Sequence, residues 1–372
     1  MRVIVSGGGT GGHIYPALTI LRTLQKKVKD LEVLYVGTSQ GLESDIIPKE
    51  GLPFATVEVQ SFKRSLSPEN FLRAMKAMAG VIKARGIVKN FNPDVVIGTG
   101  GYVCGPILMA ASLSGIPTMV QEQNVLPGIT NKILSRFVDC IATGSPEALK
   151  YFPKEKSVFT GNPIRSEVMD TDSAKGYQAL GLDPDKKTIL VSGGSRGART
   201  INQSMVGVLK HYANDDEIQI LMATGKGEYE GTMQKIKEAG LDLDKCDNLQ
   251  VKPYLYNMPM AMSIADLAVF RAGATGLAEL TAKGIPSILV PYPYASENHQ
   301  EYNARAVENA GAAKVILNKD LNADILIDTI ESLLANSKTL RKMSAASKLL
   351  GRPQAADVIA DIIIELARSK KN

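Results

Sequence analysis

The run Arg2-Val3-Ile4-Val5-Ser6-Gly7-Gly8-Gly9-Thr10-Gly11-Gly12-His13 carries an apolar strand pattern straight into a glycine-rich turn. A short apolar run without alternation is typical of a strand that is covered on both faces, as in parallel sheets. The stretch Thr188-Ile189-Leu190-Val191-Ser192-Gly193-Gly194-Ser195 repeats this arrangement near the middle of the chain. The repetition indicates two α/β units in tandem.

A second pair of similar stretches lies later in each half. Asp94-Val95-Val96-Ile97-Gly98 is followed, after a helix-length gap, by an apolar run at 115–120, and Asp266-Leu267-Ala268-Val269-Phe270 is followed in the same way by residues 284–290. We therefore predict two Rossmann-like, doubly wound parallel-sheet domains that face each other across a cleft. Such sheets bind ligands at the carboxyl ends of their strands, so the cleft is the expected active site.

Composition and length agree with two ordinary domains. The chain has 372 residues, of which 44% are hydrophobic and 22% charged, which excludes global disorder, collagen and coiled coil. Cys104, Cys140 and Cys246 form no CxxC pair, so we expect neither a disulfide framework nor a zinc knuckle, and a reducing compartment. No secretory signal precedes the first motif. The uncharged segment 95–121 is interrupted by glycine and proline, which argues against a membrane-spanning helix.

Positive charge is concentrated in the first half. Residues 1–165 contain 19 Lys and Arg against 12 Asp and Glu, although the whole chain has a net charge of only +5. Between residues 62 and 90, Glu69 is the single acidic residue among seven basic ones: Lys63, Arg64, Arg73, Lys76, Lys83, Arg85 and Lys89.

The same segment has a helix signature. Ser67 is a plausible N-cap and Pro68 suits the first helical position. An apolar stripe with spacings of three and four follows: Phe71, Leu72, Met75, Met78, Ala79 and Ile82. The stripe could face the core of its domain, with a solvated basic flank, or lie against anionic lipid. Nucleic acid is a third reading, but no aromatic stacking platform accompanies the charge.

The glycine loops favour phosphate or sugar ligands. Residues 7–12 satisfy GxGxxG, but the second strand ends in Gly37-Thr38-Ser39 and Glu32 lies at its wrong end, which argues against a dinucleotide. In the second half, residues 271–276 follow a strand and open a helix, with Glu279 one turn inside. The start of that helix could bind a diphosphate, and the carboxylate of Glu279 could accept hydrogen bonds from two ribose hydroxyls. The alternative is a simple glycine turn, followed by an acidic residue that complements the helix dipole.

Few side chains offer catalytic chemistry. His13 follows the first glycine loop at a helix start, where it is either a general base or a helix-end hydrogen-bonding group. His211 lies in a polar run typical of an exposed helix end, and we assign it no role. The DxD triplets at 183–185 and 242–244 lie in loop-like contexts and are predicted to be surface turns. We predict no metal site and no cofactor.

Taken together, the motifs resemble those of the peptidoglycan N-acetylglucosaminyltransferases of glycosyltransferase family 28, two-domain enzymes of the GT-B fold. The resemblance runs along nearly the whole chain, in the order of the family. It is carried by residues 7–13, 98–106, 121–124, 161–165, 193–198 and 271–274, then by His299-Gln300 and Asn303-Ala304. Two departures are that Gln121 replaces a common histidine and that Gly276 replaces a common hydroxyl residue.

The resemblance implies transfer of N-acetylglucosamine from UDP-GlcNAc to the C4 hydroxyl of the muramoyl sugar of lipid I, undecaprenyl-pyrophosphoryl-MurNAc-pentapeptide. The product is lipid II with an inverted, β linkage. Another GT-B enzyme that uses a UDP-sugar, such as a UDP-GlcNAc 2-epimerase or a glycolipid glucosyltransferase, is the alternative. A nicotinamide-dependent oxidoreductase and a non-catalytic scaffold that binds UDP-sugar are more distant readings.

The site residues follow from the same resemblance. His13 is the hypothetical catalytic base, and Leu255 matches the position whose backbone reads the uracil edge. The UDP-GlcNAc residues carried over are Thr10, Gly11, Gly12, Asn124, Arg165, Ser195, Leu255, Ala274, Thr275, Gly276, Leu277, Ala278, Glu279 and Gln300. We expect backbone N–H groups near Ser195 and Ala274, with Arg165, to stabilise the leaving diphosphate without a metal.

The resemblance also implies different roles for the two domains and a place in the cell. Residues 1–164 are expected to bind the acceptor and the membrane, with a C-terminal helix of about residues 352–372 packing back on them, and residues 165–351 to bind UDP-GlcNAc. The expected place is the cytoplasmic side of the cell membrane, against its anionic inner leaflet, with other cell-wall synthesis proteins as partners and no nucleic acid. The predicted docking residues are Lys63, Arg64, Phe71, Arg73, Met75, Lys76, Lys83 and Arg85.

Overall fold

Two parallel sheets form the framework of the chain, as the apolar runs predict. The structure is a computed structural model that describes residues 1–59, 69–194 and 196–369, with the side chains of 69–79 left out. Its internal contacts divide the chain into one unit of Met1–Ile164 with Gln354–Asn372 and another of Arg165–Pro353.

The sheet of the first unit has the strand order β3-β2-β1-β4-β5-β6-β7, and every neighbouring pair in it is parallel. Its strands are β1 (Arg2–Ser6), β2 (Glu32–Gly37), β3 (Phe54–Thr56), β4 (Val95–Gly98), β5 (Thr118–Glu122), β6 (Cys140–Thr143) and β7 (Ser157–Phe159). The helices between them are α1 (Gly11–Lys27), α2 (Leu42–Lys49), α3 (Glu69–Phe91), α4 (Cys104–Ser112) and α5 (Ile129–Leu134), with 3₁₀ turns at Pro146–Tyr151 and Lys154–Lys156.

Strand β1 is covered on both faces, which explains its unbroken apolar sequence. Val3 and Val5 pack in one core cluster with residues of α1, whereas Ile4 packs in another with residues of α4. All three side chains have 0% exposure. Alternate residues of a strand point to opposite faces, so a central strand between two helical layers is apolar at every position.

The second unit repeats this plan, with the strand order β10-β9-β8-β11-β12-β13 and parallel pairing throughout. Its strands are β8 (Lys187–Ser192), β9 (Ile218–Ala223), β10 (Leu249–Lys252), β11 (Leu267–Phe270), β12 (Ser287–Leu289) and β13 (Ala313–Val315). Its helices are α6 (Ser166–Asp170), α7 (Ser173–Leu180), α8 (Arg199–His211), α9 (Tyr229–Glu238), α10 (Met258–Ile264), α11 (Ala274–Lys283), α12 (His299–Asn309), α13 (Ala323–Leu334) and α14 (Ser337–Leu350), with 3₁₀ turns at Leu243–Lys245 and Ser296–Asn298.

The last helix, α15 (Ala355–Ser369), belongs to the first unit by its contacts. Ile359 and Ile363 are fully buried in the core cluster that contains α1. At the edge of this contact, Nζ of Lys27 lies 3.2 Å from Asp357 and 2.8 Å from Asp361. The chain therefore returns to its first unit after completing the second.

The strand order reverses direction once in each sheet. In the first unit this happens between β1 and β4, and in the second between β8 and β11. Open α/β sheets bind their ligands in the crevice at such a switch point, beyond the carboxyl ends of the strands. In both units the glycine loops of the sequence follow the two strands that flank this point.

The uncharged segment 95–121 forms β4, α4 and most of β5, as its glycines and prolines predict. None of the helices in the described part of the chain combines the length and apolar character needed to cross a bilayer. On α3, Ile82 is 73% exposed, and the residues that pack inward are Ala84 and Val88. The reading that places the predicted apolar stripe in the core is therefore wrong at Ile82.

Candidate active site

In the first unit, two glycine loops meet at the switch point. The N–H of Gly8 donates to the carbonyl of Gly100, at 3.2 Å. Gly101 has φ of +87°, and a Cβ there would lie 2.4 Å from the Gly8 carbonyl oxygen. Only glycine fits both this backbone conformation and this approach, which explains the glycines that follow β4.

The ring of His13 is held between these loops and the end of β5. Its Nδ1 lies 3.0 Å from the carbonyl oxygen of Thr99 and 3.0 Å from Oε1 of Gln123. The Thr99 hydroxyl in turn donates to the carbonyl of His13, at 2.7 Å. His13 is half-buried, so its imidazole is held in place by these contacts while part of the residue stays accessible to solvent.

The end of β5 carries buried polar side chains. Glu122 is 1% exposed. Its carboxylate accepts hydrogen bonds from the backbone and side chain of Asn124, at 2.9 and 3.2 Å, from the backbone of Gly128 at 3.1 Å and from the side chain of Asn131 at 2.8 Å. Asn124, a predicted donor-binding residue, is thus oriented by Glu122.

Glu43 completes the first glycine loop and was missed by the sequence analysis. Its carboxylate is fully buried and accepts the N–H of Gly9 at 2.9 Å, the N–H of Thr38 at 3.0 Å and the Thr38 hydroxyl at 2.7 Å. Burial would raise the pKa of the Glu43 carboxyl, but these hydrogen bonds outweigh it and hold the pKa below its usual value. A dinucleotide site needs a free acid beyond β2, whereas this one is used internally.

In the second unit, the loops after β8 and β11 flank the switch point. Gly197 has φ of +78°, and a Cβ there would lie 2.2 Å from the Thr224 carbonyl oxygen, so the loop after β8 also depends on glycine. Helix α11 begins at Ala274 after the N-cap residue Gly273. Its first N–H groups have no partner within the helix and can receive an anion.

Arg165 and Glu279 form a partly buried ion pair in this unit. Nε of Arg165 lies 2.9 Å from Oε1 of Glu279, which is 5% exposed. Burial raises the pKa of the Glu279 carboxyl, and the neighbouring guanidinium opposes that rise. Burial lowers the pKa of Arg165, but Glu279 more than compensates and the pKa is raised. Among the residues that the structure describes, none donates a hydrogen bond to the other carboxylate oxygen, Oε2.

Two further predicted donor residues lie beyond the ends of other strands. Gln300 is the second residue of α12, and its Oε1 accepts the N–H of Tyr292 at 3.0 Å. The two residues before α12, Glu297 and Asn298, both have left-handed backbones, with φ of 53° and 56°. Leu255 is buried, at 6% exposure, in the loop that follows β10.

Most of the predicted donor residues that the structure describes follow the carboxyl ends of strands in their own unit, whereas Arg165 lies at the start of the second unit, just before α6. Thr10, Gly11, Gly12, His13 and Asn124 lie in the first unit; Arg165, Leu255, Ala274–Glu279 and Gln300 lie in the second.

Several predicted residues cannot be placed in this way. Ser195, Lys63 and Arg64 lie outside the described residues. Phe71, Arg73, Met75 and Lys76 belong to α3, but their side chains lie outside the description, whereas Lys83 and Arg85 are exposed.

Comparison with known proteins places both units in one family. Residues 3–143 match the N-terminal domain of glycosyltransferase family 28, and residues 188–359 match the C-terminal domain of that family.

Individual relatives extend the match to nearly the whole chain. A UDP-N-acetylglucosamine--N-acetylmuramyl-(pentapeptide) pyrophosphoryl-undecaprenol N-acetylglucosamine transferase of Desulforamulus reducens is 51% identical over 98% of this chain and 97% of its own. The crystal structure of Acinetobacter baumannii MurG has a TM-score of 0.78 and 27% identity, covering 98% of this chain and 99% of that one. A UDP-GlcNAc 2-epimerase from Neisseria meningitidis shares the fold alone, with a TM-score of 0.68 and 15% identity over 98% of this chain and all of its own. The chain belongs to glycosyltransferase family 28.

Proposed function

We propose that this chain transfers N-acetylglucosamine from UDP-GlcNAc to the C4 hydroxyl of the muramoyl sugar of lipid I, which yields lipid II with a β linkage. The observation that carries the proposal is the 51% identity to the Desulforamulus reducens transferase, which spans both units and both sets of glycine loops. The 2-epimerase alternative rests on 15% identity and a shared fold, which does not extend to activity.

His13 is proposed to be the general base. Its Nδ1 is engaged by Thr99 and Gln123, and no described residue hydrogen-bonds its Nε2. Nε2 can therefore accept the proton of the acceptor hydroxyl as its oxygen attacks the anomeric carbon. The bond from that carbon to the UDP oxygen breaks on the opposite face, which inverts the configuration. The proton resides on His13 and the electron pair on the departing diphosphate.

The second unit is proposed to hold the donor and to stabilise the charge that develops on the diphosphate. The N–H groups of Ala274, Thr275 and Gly276 open α11, with the loop containing Ser195 and the guanidinium of Arg165 as further donors. A preorganised donor of this kind typically lowers the activation free energy by about 2.7–4 kcal/mol. The free oxygen of Glu279 would accept the ribose hydroxyls, the backbone of Leu255 would read the uracil, and Gln300 would contact the sugar.

The first unit is proposed to bind the acceptor and to dock on the anionic inner leaflet at the cytoplasmic face. Helix α4 packs against both α3 and α5. On and beside these helices, large apolar side chains are exposed: Ile82 at 73%, Leu113 at 64%, Ile129 at 60%, Ile133 at 54% and Phe137 at 42%. Lys83, Arg85 and Arg136 are exposed in the same segments. Apolar side chains with basic neighbours suit an anionic lipid surface.

Release of UDP tests this function. The protein would be incubated with UDP-GlcNAc in the presence and absence of a soluble lipid I analogue, with UDP-N-acetylgalactosamine as the matched donor control. We expect UDP release that requires both UDP-GlcNAc and the acceptor. Conversion of UDP-GlcNAc without acceptor would instead support an epimerase, and binding without release of UDP would support a scaffold.

A further inference from the structure

We infer that Gln123 is the positioning residue of His13: together with the Thr99 carbonyl, its side-chain amide holds the proton of the imidazole on Nδ1 and so keeps Nε2 available as the base. This inference rests on the proposed function, in which Nε2 takes the proton of the acceptor hydroxyl. The residue emerges from the structure because Gln123 lies 110 positions from His13 in sequence.

The ring contacts determine the tautomer. Both groups that face Nδ1 are oxygen atoms, the Thr99 carbonyl and Oε1 of Gln123, each at 3.0 Å. A carbonyl oxygen can only accept a hydrogen bond, so Nδ1 must carry the proton in the neutral ring. The lone pair of the neutral ring is then on Nε2.

The orientation of the Gln123 amide follows from its other end. Its Nε2 donates to the main-chain carbonyls of Thr99 at 2.7 Å and Gln121 at 3.1 Å, and to the side-chain oxygen of Gln121. The reversed amide would place an oxygen atom against three oxygen atoms. Oε1 is consequently the atom that faces the imidazole, and it faces Nδ1 only as an acceptor.

A chain of buried amides maintains this arrangement. Nε2 of Gln121 donates to Oδ1 of Asn162 at 3.0 Å, and Nδ2 of Asn162 donates to the main-chain carbonyl of Gln123 at 3.0 Å. Gln121, Gln123 and Asn162 are 0%, 3% and 8% exposed. Because the main-chain carbonyls at both ends only accept, the direction of every hydrogen bond in the chain is fixed.

The groups that touch the ring carry no charge. The nearby titratable groups direct their hydrogen bonds elsewhere: Glu122 to Asn124, Gly128 and Asn131, Glu43 to Gly9 and Thr38, and the Cys104 thiol to the carbonyls of Ser6 and Gly100. Gln123 therefore orients the base without the anionic partner that a Ser-His-Asp triad uses. Replacing it by glutamate would create such a partner.

The tautomer is measured directly by ¹⁵N NMR of the ring nitrogens in the unmodified protein. The chain has three histidines, so a spectrum of the His13→Ala variant assigns the His13 signals. At a pH where the ring is neutral we expect the pattern of a protonated Nδ1 and an unprotonated Nε2. A predominant Nε2–H tautomer would overturn the inference, whatever the activity of the protein.

Activity of two variants tests the role. Gln123→Met should lower kcat by at least about tenfold, short of the roughly 10²–10⁴-fold loss of a general base, with KM for UDP-GlcNAc unchanged. Gln123→Glu should move the acidic limb of the kcat/KM profile to higher pH by about one unit, since a nearby opposite charge favours the charged ring. Gln25→Glu, an exposed position on α1, is the matched control and should leave the profile in place.

The outcomes separate this inference from the proposed function. An unshifted pH profile of kcat/KM for Gln123→Glu, or a normal kcat for Gln123→Met, would overturn the positioning role of Gln123. A severe loss of kcat in His13→Ala would still support His13 as the base in that case. If the unmodified protein has a protonated Nδ1 but His13→Ala keeps full activity, His13 is not the base. The contacts with Thr99 and Gln123 would then explain only its tautomer.

Discussion

Glu43 shows that a glycine loop can be completed by the protein's own carboxylate. It accepts hydrogen bonds from the N–H of Gly9 and from the N–H and hydroxyl of Thr38. No acid stands at the end of β2 in the sequence; Glu43 lies on α2 and reaches back to the loop. A contact between residues 34 positions apart has no local signature, whereas the glycines themselves do.

Glu43→Gln should destabilise the first unit, because an amide cannot accept all three hydrogen bonds of the buried carboxylate. We expect a loss of about 1–3 kcal/mol in the free energy of unfolding near neutral pH. The pKa of Glu43 is depressed, so its contribution is present above its usual pKa of 4.5 and is lost as the pH falls through the folded value. Urea denaturation at pH 7 and at acidic pH measures the difference.

Asp45→Asn on the same helix is the control for this charge change, since Asp45 is exposed. It should alter stability by much less at both pH values. An equal cost for the two variants, or a cost of Glu43→Gln that grows on acidification, would contradict this role of Glu43.

His13→Ala should lower kcat by roughly 10²–10⁴-fold if its imidazole is the base. KM for UDP-GlcNAc should change little, because the donor contacts proposed for the second unit remain. His211→Ala is the matched control, as this exposed histidine pairs with Glu331 at 2.9 Å in the second unit. Steady-state UDP release checks both variants, and near-normal turnover of His13→Ala at saturating substrates would remove the histidine from the mechanism.

Among the elements, the loops at the switch points are held by close contacts between their backbones. Apolar runs and glycines were sufficient to predict β1, β4, β8 and β11 and the turns after them, because a strand buried on two faces leaves a strong local pattern. The contacts between loops, such as that of Gly8 with Gly100, were not predictable, since they depend on which strands become neighbours.

Gly101→Ala should lower both stability and activity. Its backbone has φ of +87°, and the new Cβ would lie 2.4 Å from the Gly8 carbonyl oxygen, which forces the two loops apart. Gly51→Ala is a matched control with φ of +71° and no atom within 4 Å of the added carbon. Gly51→Ala should lower the free energy of unfolding by about 1–2 kcal/mol, the cost of the left-handed backbone alone. Thermal unfolding and UDP release compare the two, and equal effects of both variants would show that the loop contact is unimportant.

Within the described residues, Ile82 is the member of the predicted stripe whose side-chain exposure is known, and it is 73% exposed, as the membrane proposal for α3 requires. Lys83→Glu with Arg85→Glu should weaken binding to vesicles that contain anionic lipid, by about 1 kcal/mol for each charge removed near the surface. The same reversals at Lys26 and Lys29 on the first unit are the control. Sedimentation with anionic and neutral vesicles measures binding, and equal binding of both double variants would favour a solvated flank.

For the whole molecule, two repeated parallel sheets are the framework on which we propose that one chain binds both a donor and an acceptor. The sequence repeats predicted both sheets, and the comparisons confirm the family and the GT-B fold. What the sequence could not provide is the polar interior of each unit: the amides around His13 and the pair of Arg165 with Glu279 join residues more than 80 positions apart.

The linkage in the reaction product tests the proposed transfer most directly. UDP-GlcNAc and a soluble lipid I analogue would be converted by the protein, and the isolated product analysed by NMR for anomeric configuration and site of attachment. We predict a single N-acetylglucosamine in β linkage on the C4 oxygen of the muramoyl sugar. An α linkage, attachment at another hydroxyl, or a modified UDP-sugar with no glycosylated acceptor would contradict it.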